Sequence, residues 1–182
     1  MAAVSGWNSP RLAEDQPSAS PSPGGSRSTN SVNQPAPSAP RTVLLVEDNP
    51  TDLYVIRLVL ERCELDLELR VARDGEDALN FLEDIGRQKC ACPALVLLDL
   101  NVPKVGGIEV LRRLRHAFPG NRIPVIVVTS SGEPADRAET HSLGADAFFQ
   151  KPADLAAYMQ LVPLIKSVLG RSDGKAKSQG EC

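Results

Sequence analysis

Short apolar runs alternate with amphipathic stretches between residues 41 and 169. This alternation is typical of repeated strand–helix units that build a parallel sheet with helices on its faces. The first, third and fourth runs are apolar throughout, which indicates central strands, whereas the second alternates with charged residues and is expected nearer an edge. The sequence therefore predicts an α/β fold with a doubly wound five-stranded parallel sheet, whose strands are Val43–Val46, Leu67–Val71, Leu95–Leu98, Val125–Val128 and Ala147–Phe149.

Five helices are predicted to connect and follow these strands. Apolar residues recur at helical spacing in each connecting stretch, as expected for helices that pack one face on a sheet. Pro163 lies inside the last stretch and is expected to kink it, because proline removes a backbone hydrogen bond. The helices are expected at Pro50–Cys63, Gly75–Ile85, from Gly106–Gly107 through Arg115, Pro134–Leu143 and Asp154–Leu169.

Composition separates two further segments from this domain. Nineteen of the first forty residues are Pro, Ser or Gly, too little apolar surface to offset the entropy of ordering. Residues 1–40 are therefore expected to be a disordered tail, residues 41–169 the folded domain, and residues 170–182, which lack apolar periodicity, a flexible C-terminal tail.

Charge and hydropathy exclude several classes of protein. The net charge of −3 disfavours a nucleic-acid-binding protein. No apolar run approaches the ~20 residues of a membrane helix, and the N-terminus lacks a secretory pattern. A cytoplasmic protein without membrane contact is expected, with its four cysteines reduced and not at zinc-site spacing.

Polar residues follow the strands where ligands bind in open parallel sheets, at the carboxyl ends. Three carboxylates brought together there repel one another and need a counter-charge. One lysine supplies part of it, and carboxylates with a backbone carbonyl also suit Mg²⁺ or Mn²⁺. The residues concerned are Glu47 and Asp48 after the first strand, Asp99 and Asn101 after the third, Thr129 after the fourth and Lys151 after the fifth.

These residue types favour phosphoryl chemistry on a carboxylate. Asp99 is placed to act as a nucleophile towards phosphorus, with Thr129 and Lys151 donating hydrogen bonds to the phosphoryl oxygens. Glu47 and Asp48 would hold the metal. No glycine-rich phosphate loop follows the first strand, and no Ser-His-Asp set is visible. A solvated acidic rim without chemistry is the simpler alternative.

Residues 41–169 resemble the response-regulator receiver domain of two-component signalling, a (βα)₅ flavodoxin-like fold. The resemblance rests on order and spacing as well as wording. The matching motifs are Leu44-Leu-Val-Glu-Asp48, Asp74-Gly75, Leu97-Leu-Asp-Leu-Asn-Val-Pro103, Gly106-Gly107, Pro124-Val-Ile-Val-Val-Thr129 and Gly144-Ala-Asp-Ala-Phe-Phe-Gln-Lys-Pro152.

The resemblance implies that Asp99 accepts a phosphoryl group from a histidine kinase or phosphotransfer protein and later loses it slowly. It implies Mg²⁺ bound by Asp48, Asp99 and the Asn101 main-chain carbonyl, with Glu47 reaching the metal through water. Thr129 and Phe148 would form the switch that alters a surface for a downstream protein. The chain is most similar to stand-alone regulators that partner phytochrome-type kinases, and so is expected to signal rather than act as an enzyme.

Two other classes remain open at this point. An aspartyl-nucleophile phosphohydrolase uses similar residues, but in that family the nucleophile lies on the first strand and the acidic pair follows the lysine. A receiver-fold scaffold without phosphotransfer would not need the complete set of polar residues. The sequence does not identify the kinase or the target, and it does not separate a homodimer surface from a target surface.

Overall fold

The computed structural model describes residues 40–119 and 123–176. Five strands alternate with helices in the predicted order, and two helices follow the last strand where one was predicted. The strands are β1 (Arg41–Val46), β2 (Leu67–Ala72), β3 (Leu95–Leu98), β4 (Val125–Thr129) and β5 (Ala147–Gln150). The helices are α1 (Pro50–Arg62), α2 (Gly75–Gly86), α3 (Gly107–Ala117), α4 (Pro134–Ser142), α5 (Leu155–Tyr158) and α6 (Leu161–Ala176).

The strands form one parallel sheet in the order β2-β1-β3-β4-β5. The predicted fold class is confirmed, with β1, β3 and β4 in the centre and the alternating strand β2 at an edge. β3 is buried along its whole length because both faces of the sheet are covered. Alternate strand residues consequently belong to two separate hydrophobic clusters.

One cluster lies under α1, α5 and α6, and the other lies under α2 and α3. In α1, Leu53, Ile56 and Val59 are buried at helical spacing. The start of this helix is fixed by Asn49, whose side-chain oxygen accepts from the backbone N–H groups of Thr51 and Asp52 at 2.9 and 3.4 Å. Residue 52 therefore has a defined position in the first turn, beside the carboxyl edge of the sheet.

The single kinked helix predicted for Asp154–Leu169 is wrong. The chain forms two helices that are separated at Met159–Gln160. Pro163 lies in the first turn of α6, where backbone N–H groups have no partner within the helix, so a proline there breaks no hydrogen bond. α6 also continues to Ala176, into the segment expected to be a tail.

The tail expected at residues 1–40 lies outside the described residues, except for Pro40. The tail expected at residues 170–182 is described only as far as Ala176, within α6. Cys63 and Cys90 carry free thiols, as expected for these two cysteines. None of the helices in the described ranges is long and apolar enough to cross a membrane.

The loop after β3 is joined to the beginning of α2. The backbone N–H of Gly75 donates to the carbonyl of Pro103 at 3.2 Å. A Cβ at Gly75 would lie 1.8 Å from the carbonyl oxygen of Val105, so a side chain has no room there. Lys104 adds ion pairs with Asp74 and Glu76, both at 2.9 Å. The segment that follows Asp99 thus packs directly on the neighbouring strand–helix unit.

Candidate functional site at the carboxyl edge of the sheet

The ammonium of Lys151 lies at the centre of the candidate site. Its Nζ donates to Asp99 Oδ2 at 2.6 Å, to Glu47 Oε2 at 2.7 Å and to Asp52 Oδ2 at 2.8 Å. These residues come from the ends of β5, β3 and β1 and from the first turn of α1. The sequence therefore predicted correctly that Glu47, Asp99 and Lys151 meet at one edge of the sheet.

Two of the three carboxylates predicted to lie here, Glu47 and Asp99, are also each fixed by a backbone N–H group. Asp99 Oδ1 accepts from Asn101 N at 3.0 Å, and Glu47 Oε1 accepts from Asn49 N at 3.1 Å. The side chains of Glu47 and Asp99 are 1% and 5% exposed, so the ion pairs with Lys151 are shielded from water. Coulombic attraction is stronger at such a position than at the surface.

Burial and charge oppose each other in this cluster. Burial raises the pKa of Glu47, and its contacts with Lys151 offset only part of that effect. Burial alone would lower the pKa of Lys151, but hydrogen bonds to Asp52, Asp99 and Glu47 raise it well above its ordinary value. Lys151 therefore stays positively charged and compensates part of the carboxylate charge around it.

Asp52 is a member of the site that the sequence analysis missed. Its Oδ2 contacts Lys151, and its Oδ1 accepts a hydrogen bond from the hydroxyl of Tyr158 at 3.0 Å. Tyr158 belongs to α5 and is buried, with its ring centroid 6.0 Å from that of Phe149. Burial, followed by the hydrogen bond to Asp52, raises the pKa of the Tyr158 hydroxyl. The site thus extends from β3 through Lys151 and Asp52 to α5.

Thr129 and Phe148 lie on the two strands beside the acidic cluster. Thr129 is fully buried at the end of β4, and its Oγ1 accepts from the backbone N–H of Ser131 at 3.2 Å. The carbonyl of Thr129 accepts from the backbone N–H of Lys151 at 2.8 Å, which ties the two residues together through the main chain. Phe148 is half-buried, and the guanidinium of Arg137 lies over its ring.

The residues expected to bind metal differ in their exposure to solvent. Asp48 and Asn101 are exposed, whereas Glu47 and Asp99 are buried against Lys151. Within residues 40–119 and 123–176, no three His, Cys, Asp or Glu side chains form a group that could hold a metal ion. The expected set instead combines carboxylates with a main-chain carbonyl. Because Mg²⁺ and Mn²⁺ take carboxylate and carbonyl oxygens and keep several waters, this donor set fits such an ion.

Comparison with known proteins agrees with this geometry. The family model described as the response regulator receiver domain matches residues 43–163. Response regulator Rcp1 from Synechocystis sp. (strain ATCC 27184 / PCC 6803 / Kazusa) is 36% identical over 129 residues, which cover 70% of this chain and 88% of Rcp1. The probable methanogenesis regulatory protein FilR2 from Methanothrix harundinacea (strain 6Ac) is 36% identical over 143 residues, covering 75% of this chain and 90% of FilR2.

Solved structures give the same result. The phosphorylated cyanobacterial phytochrome response regulator RcpA superposes with a TM-score of 0.65 at 32% identity, covering 74% of this chain and 96% of RcpA. The Mn²⁺-bound form of Rcp1 superposes with a TM-score of 0.64 at 36% identity, covering 70% and 93%. With the fold, the acidic edge and these similarities in agreement, the chain belongs to the response regulator receiver domain family and is similar to the phytochrome response regulator RcpA.

Proposed function

We propose that this protein accepts a phosphoryl group on Asp99 from a phosphohistidine of a histidine kinase or phosphotransfer protein, and that phosphorylation changes a surface recognised by a downstream protein. The observation that carries the proposal is the 2.6 Å contact between Lys151 Nζ and Asp99 Oδ2. A carboxylate beside a fixed ammonium is suited to accept a phosphoryl group, because the ammonium balances the added negative charge.

In the proposed transfer, a carboxylate oxygen of Asp99 forms a bond to phosphorus as the N–P bond of the donor breaks. The electron pair of that bond returns to the donor imidazole. Lys151 donates a hydrogen bond to a phosphoryl oxygen, and Asn101 N holds the other oxygen of the acceptor carboxylate. Attack by water on phosphorus would later release phosphate and restore the carboxylate, which gives the slow autodephosphorylation expected of a signalling protein.

A divalent ion, Mg²⁺ or Mn²⁺, would supply positive charge to the phosphoryl oxygens when bound. Asp48, Asp99 and the Asn101 main-chain carbonyl are the residues proposed to hold it, with Glu47 acting through water. The exposed position of Asp48 supports this set, because its carboxylate is accessible to a hydrated ion. The structure of Mn²⁺-bound Rcp1 supports divalent metal binding in a similar protein.

The proposed switch joins the site to the surface through Thr129 and Phe148. A phosphoryl group adds roughly two negative charges and three acceptor oxygens. Thr129 currently accepts from Ser131 N, so its hydroxyl hydrogen is available to a phosphoryl oxygen. Movement of Thr129 would change the space beside Phe148 on the adjacent strand, and thereby the surface that β5 and α4 form.

Labelling of the full chain with acetyl phosphate and Mg²⁺ tests the proposal. The wild type is expected to gain one phosphoryl group, detected by intact mass, and Asp99→Asn is expected to gain none. Asp66→Asn is the matched control, because Asp66 is exposed and precedes β2, at the end of the sheet opposite the carboxyl ends of the strands. Equal labelling of Asp99→Asn and wild type would overturn the assignment, and turnover of generic phosphate esters would favour a phosphohydrolase.

A further inference from the structure

The hydrogen-bonding capacity of Lys151 is fully used. An ammonium has three N–H donors, and these go to Glu47, Asp52 and Asp99. A phosphoryl oxygen can therefore gain a hydrogen bond from Lys151 only if one carboxylate gives up its own. The three partners differ in what else holds them, and this difference decides which of them keeps its contact.

Asp99 and Glu47 are the partners whose contacts change in the proposed reaction. Asp99 loses its carboxylate charge when it becomes an acyl phosphate, so its attraction for Lys151 falls. Glu47 is in the set proposed to act on the divalent ion. Neither residue can hold the ammonium in the same way before and after transfer.

Asp52 is held independently of both changes. Its backbone N–H is capped by Asn49 in the first turn of α1, where the helix dipole favours a carboxylate. Its Oδ1 accepts from the buried Tyr158 hydroxyl, which leaves Oδ2 directed at Lys151. Two elements outside the proposed acceptor and metal set, α1 and α5, thus fix this carboxylate.

We infer that Asp52 is a positioning residue that anchors the Lys151 ammonium through phosphoryl transfer, and that Tyr158 acts through Asp52 by fixing its carboxylate. The inference rests on the proposed function, since it concerns the same site. Asp52 touches no reacting atom. It keeps Lys151 oriented so that one of its N–H groups can change its hydrogen-bond acceptor from Asp99 to a phosphoryl oxygen without the ammonium moving away.

Asp52→Asn tests the anchor without changing the shape of the side chain. At saturating Mg²⁺, the rate constant for phosphorylation by acetyl phosphate is expected to fall about tenfold, because a misplaced charged group loses much of its effect on the transition state. The donor concentration at half-saturation and the Mg²⁺ affinity, measured by calorimetry, are expected to stay unchanged. Glu61→Gln, an exposed carboxylate on the same helix, is the control and should match wild type. A rate constant for Asp52→Asn equal to or above wild type overturns the inference.

Tyr158→Phe supplies the second arm, since it removes one hydroxyl and keeps the ring packing. This variant is expected to slow phosphorylation less than Asp52→Asn. In the double variant it should cause no further slowing, because Tyr158 would then have no carboxylate to fix. Independent, multiplying effects of the two substitutions would overturn the assignment of Tyr158.

A measurement without phosphate separates this inference from the proposed function. In the ¹H–¹⁵N spectrum of lysine ammonium groups, Lys151 is expected to give a signal that exchanges slowly with water, and Asp52→Asn should broaden it. An unchanged signal overturns the anchor. If wild type fails to take a label, or Asp99→Asn takes one, the proposed function fails, while the ammonium spectrum still decides whether Asp52 holds Lys151.

Discussion

The guanidinium carbon of Arg137 lies 4.5 Å from the centroid of the Phe148 ring. Arg137 is an exposed residue of α4, and Phe148 lies on the edge strand β5, so the contact joins the two elements whose surface is proposed to change. Cation–π contacts at exposed positions contribute about 0.5–1 kcal/mol. The contact therefore favours the ring position seen here over others by a modest amount.

Arg137→Ala is expected to shift the unphosphorylated protein towards the Phe148 ring position that it would adopt after phosphorylation under the proposed switch. Loss of about 1 kcal/mol changes the ratio of two conformers by roughly fivefold. The aromatic NMR shifts of Phe148 should move part of the way towards those of the phosphorylated protein. Arg57→Ala, an exposed arginine on α1, should leave them unchanged. Identical Phe148 shifts in Arg137→Ala and wild type would contradict the role of this contact.

Thr129→Ala is expected to separate phosphorylation from the response to it. The acceptor carboxylate and Lys151 remain, so acetyl phosphate should still label the protein. The hydroxyl proposed to contact the phosphoryl group is lost, so the Phe148 shifts should change much less on phosphorylation. Thr129→Ser keeps the hydroxyl and should retain the response. A full response in Thr129→Ala would remove Thr129 from the switch.

Gly107→Ala is expected to damage both stability and the site. A Cβ at Gly107 would lie 2.2 Å from the carbonyl oxygen of Asp99 and 2.8 Å from Cα of Leu100. Forcing extra volume into a packed position costs about 1–3 kcal/mol, and here the displaced backbone is that of Asp99, the proposed phosphoacceptor. Urea unfolding and the labelling rate should both show the loss. Gly86→Ala, where a Cβ meets nothing within 4 Å, is the matched control.

The Tyr158 hydroxyl is expected to remain protonated to unusually high pH. Tyr54→Phe leaves Tyr158 as the remaining tyrosine of the chain's two, so phenolate absorbance then reports it alone. Burial and the hydrogen bond to Asp52 raise the pKa of the Tyr158 hydroxyl above its ordinary value of about 10. Since the folded-state pKa is the higher one, the stability that Tyr158 contributes is complete below about pH 10 and is lost as the pH rises beyond it.

Asp52→Asn in the Tyr54→Phe background should move the titration of Tyr158 to lower pH, because the carboxylate that accepts the Tyr158 hydrogen bond is gone. The absorbance titration and a denaturant series at several alkaline pH values provide the two measurements. A titration midpoint that does not respond to Asp52→Asn would show that the hydrogen bond between Tyr158 and Asp52 contributes little in solution.

The sequence was sufficient to predict the sheet and the meeting of three polar residues at its carboxyl edge, because both follow from the pattern of each strand and the residues at its end. Wholly apolar runs such as β3 identify strands covered on both faces, and the rule for carboxyl ends then brings Glu47, Asp99 and Lys151 together. The metal set, the switch and the domain division stay predictions. What could be predicted is therefore each strand, from its apolar run, and each polar residue that directly follows a strand.

Asp52 and the break before α6 could not be predicted in the same way. An acidic residue in the first turn of a helix is already explained by the helix dipole, so nothing local indicates its partner 99 residues away. In the last segment, Tyr158, Leu161 and Ile165 are all buried on the same core cluster, so the apolar pattern continues across the break. Hydrophobic spacing therefore does not distinguish two short helices from one.

The contacts of Gly75 and Lys104 connect the loop after β3 to α2. The loop that follows Asp99 is bound to the beginning of α2 by a backbone hydrogen bond, by the close packing of Gly75 on Val105 and by two ion pairs of Lys104. Any displacement of that loop would carry the first turn of α2 with it, on the flank of the sheet away from β5. A shift of the loop after the proposed acceptor Asp99 would therefore reach the surface of α2 without involving Phe148 or α4.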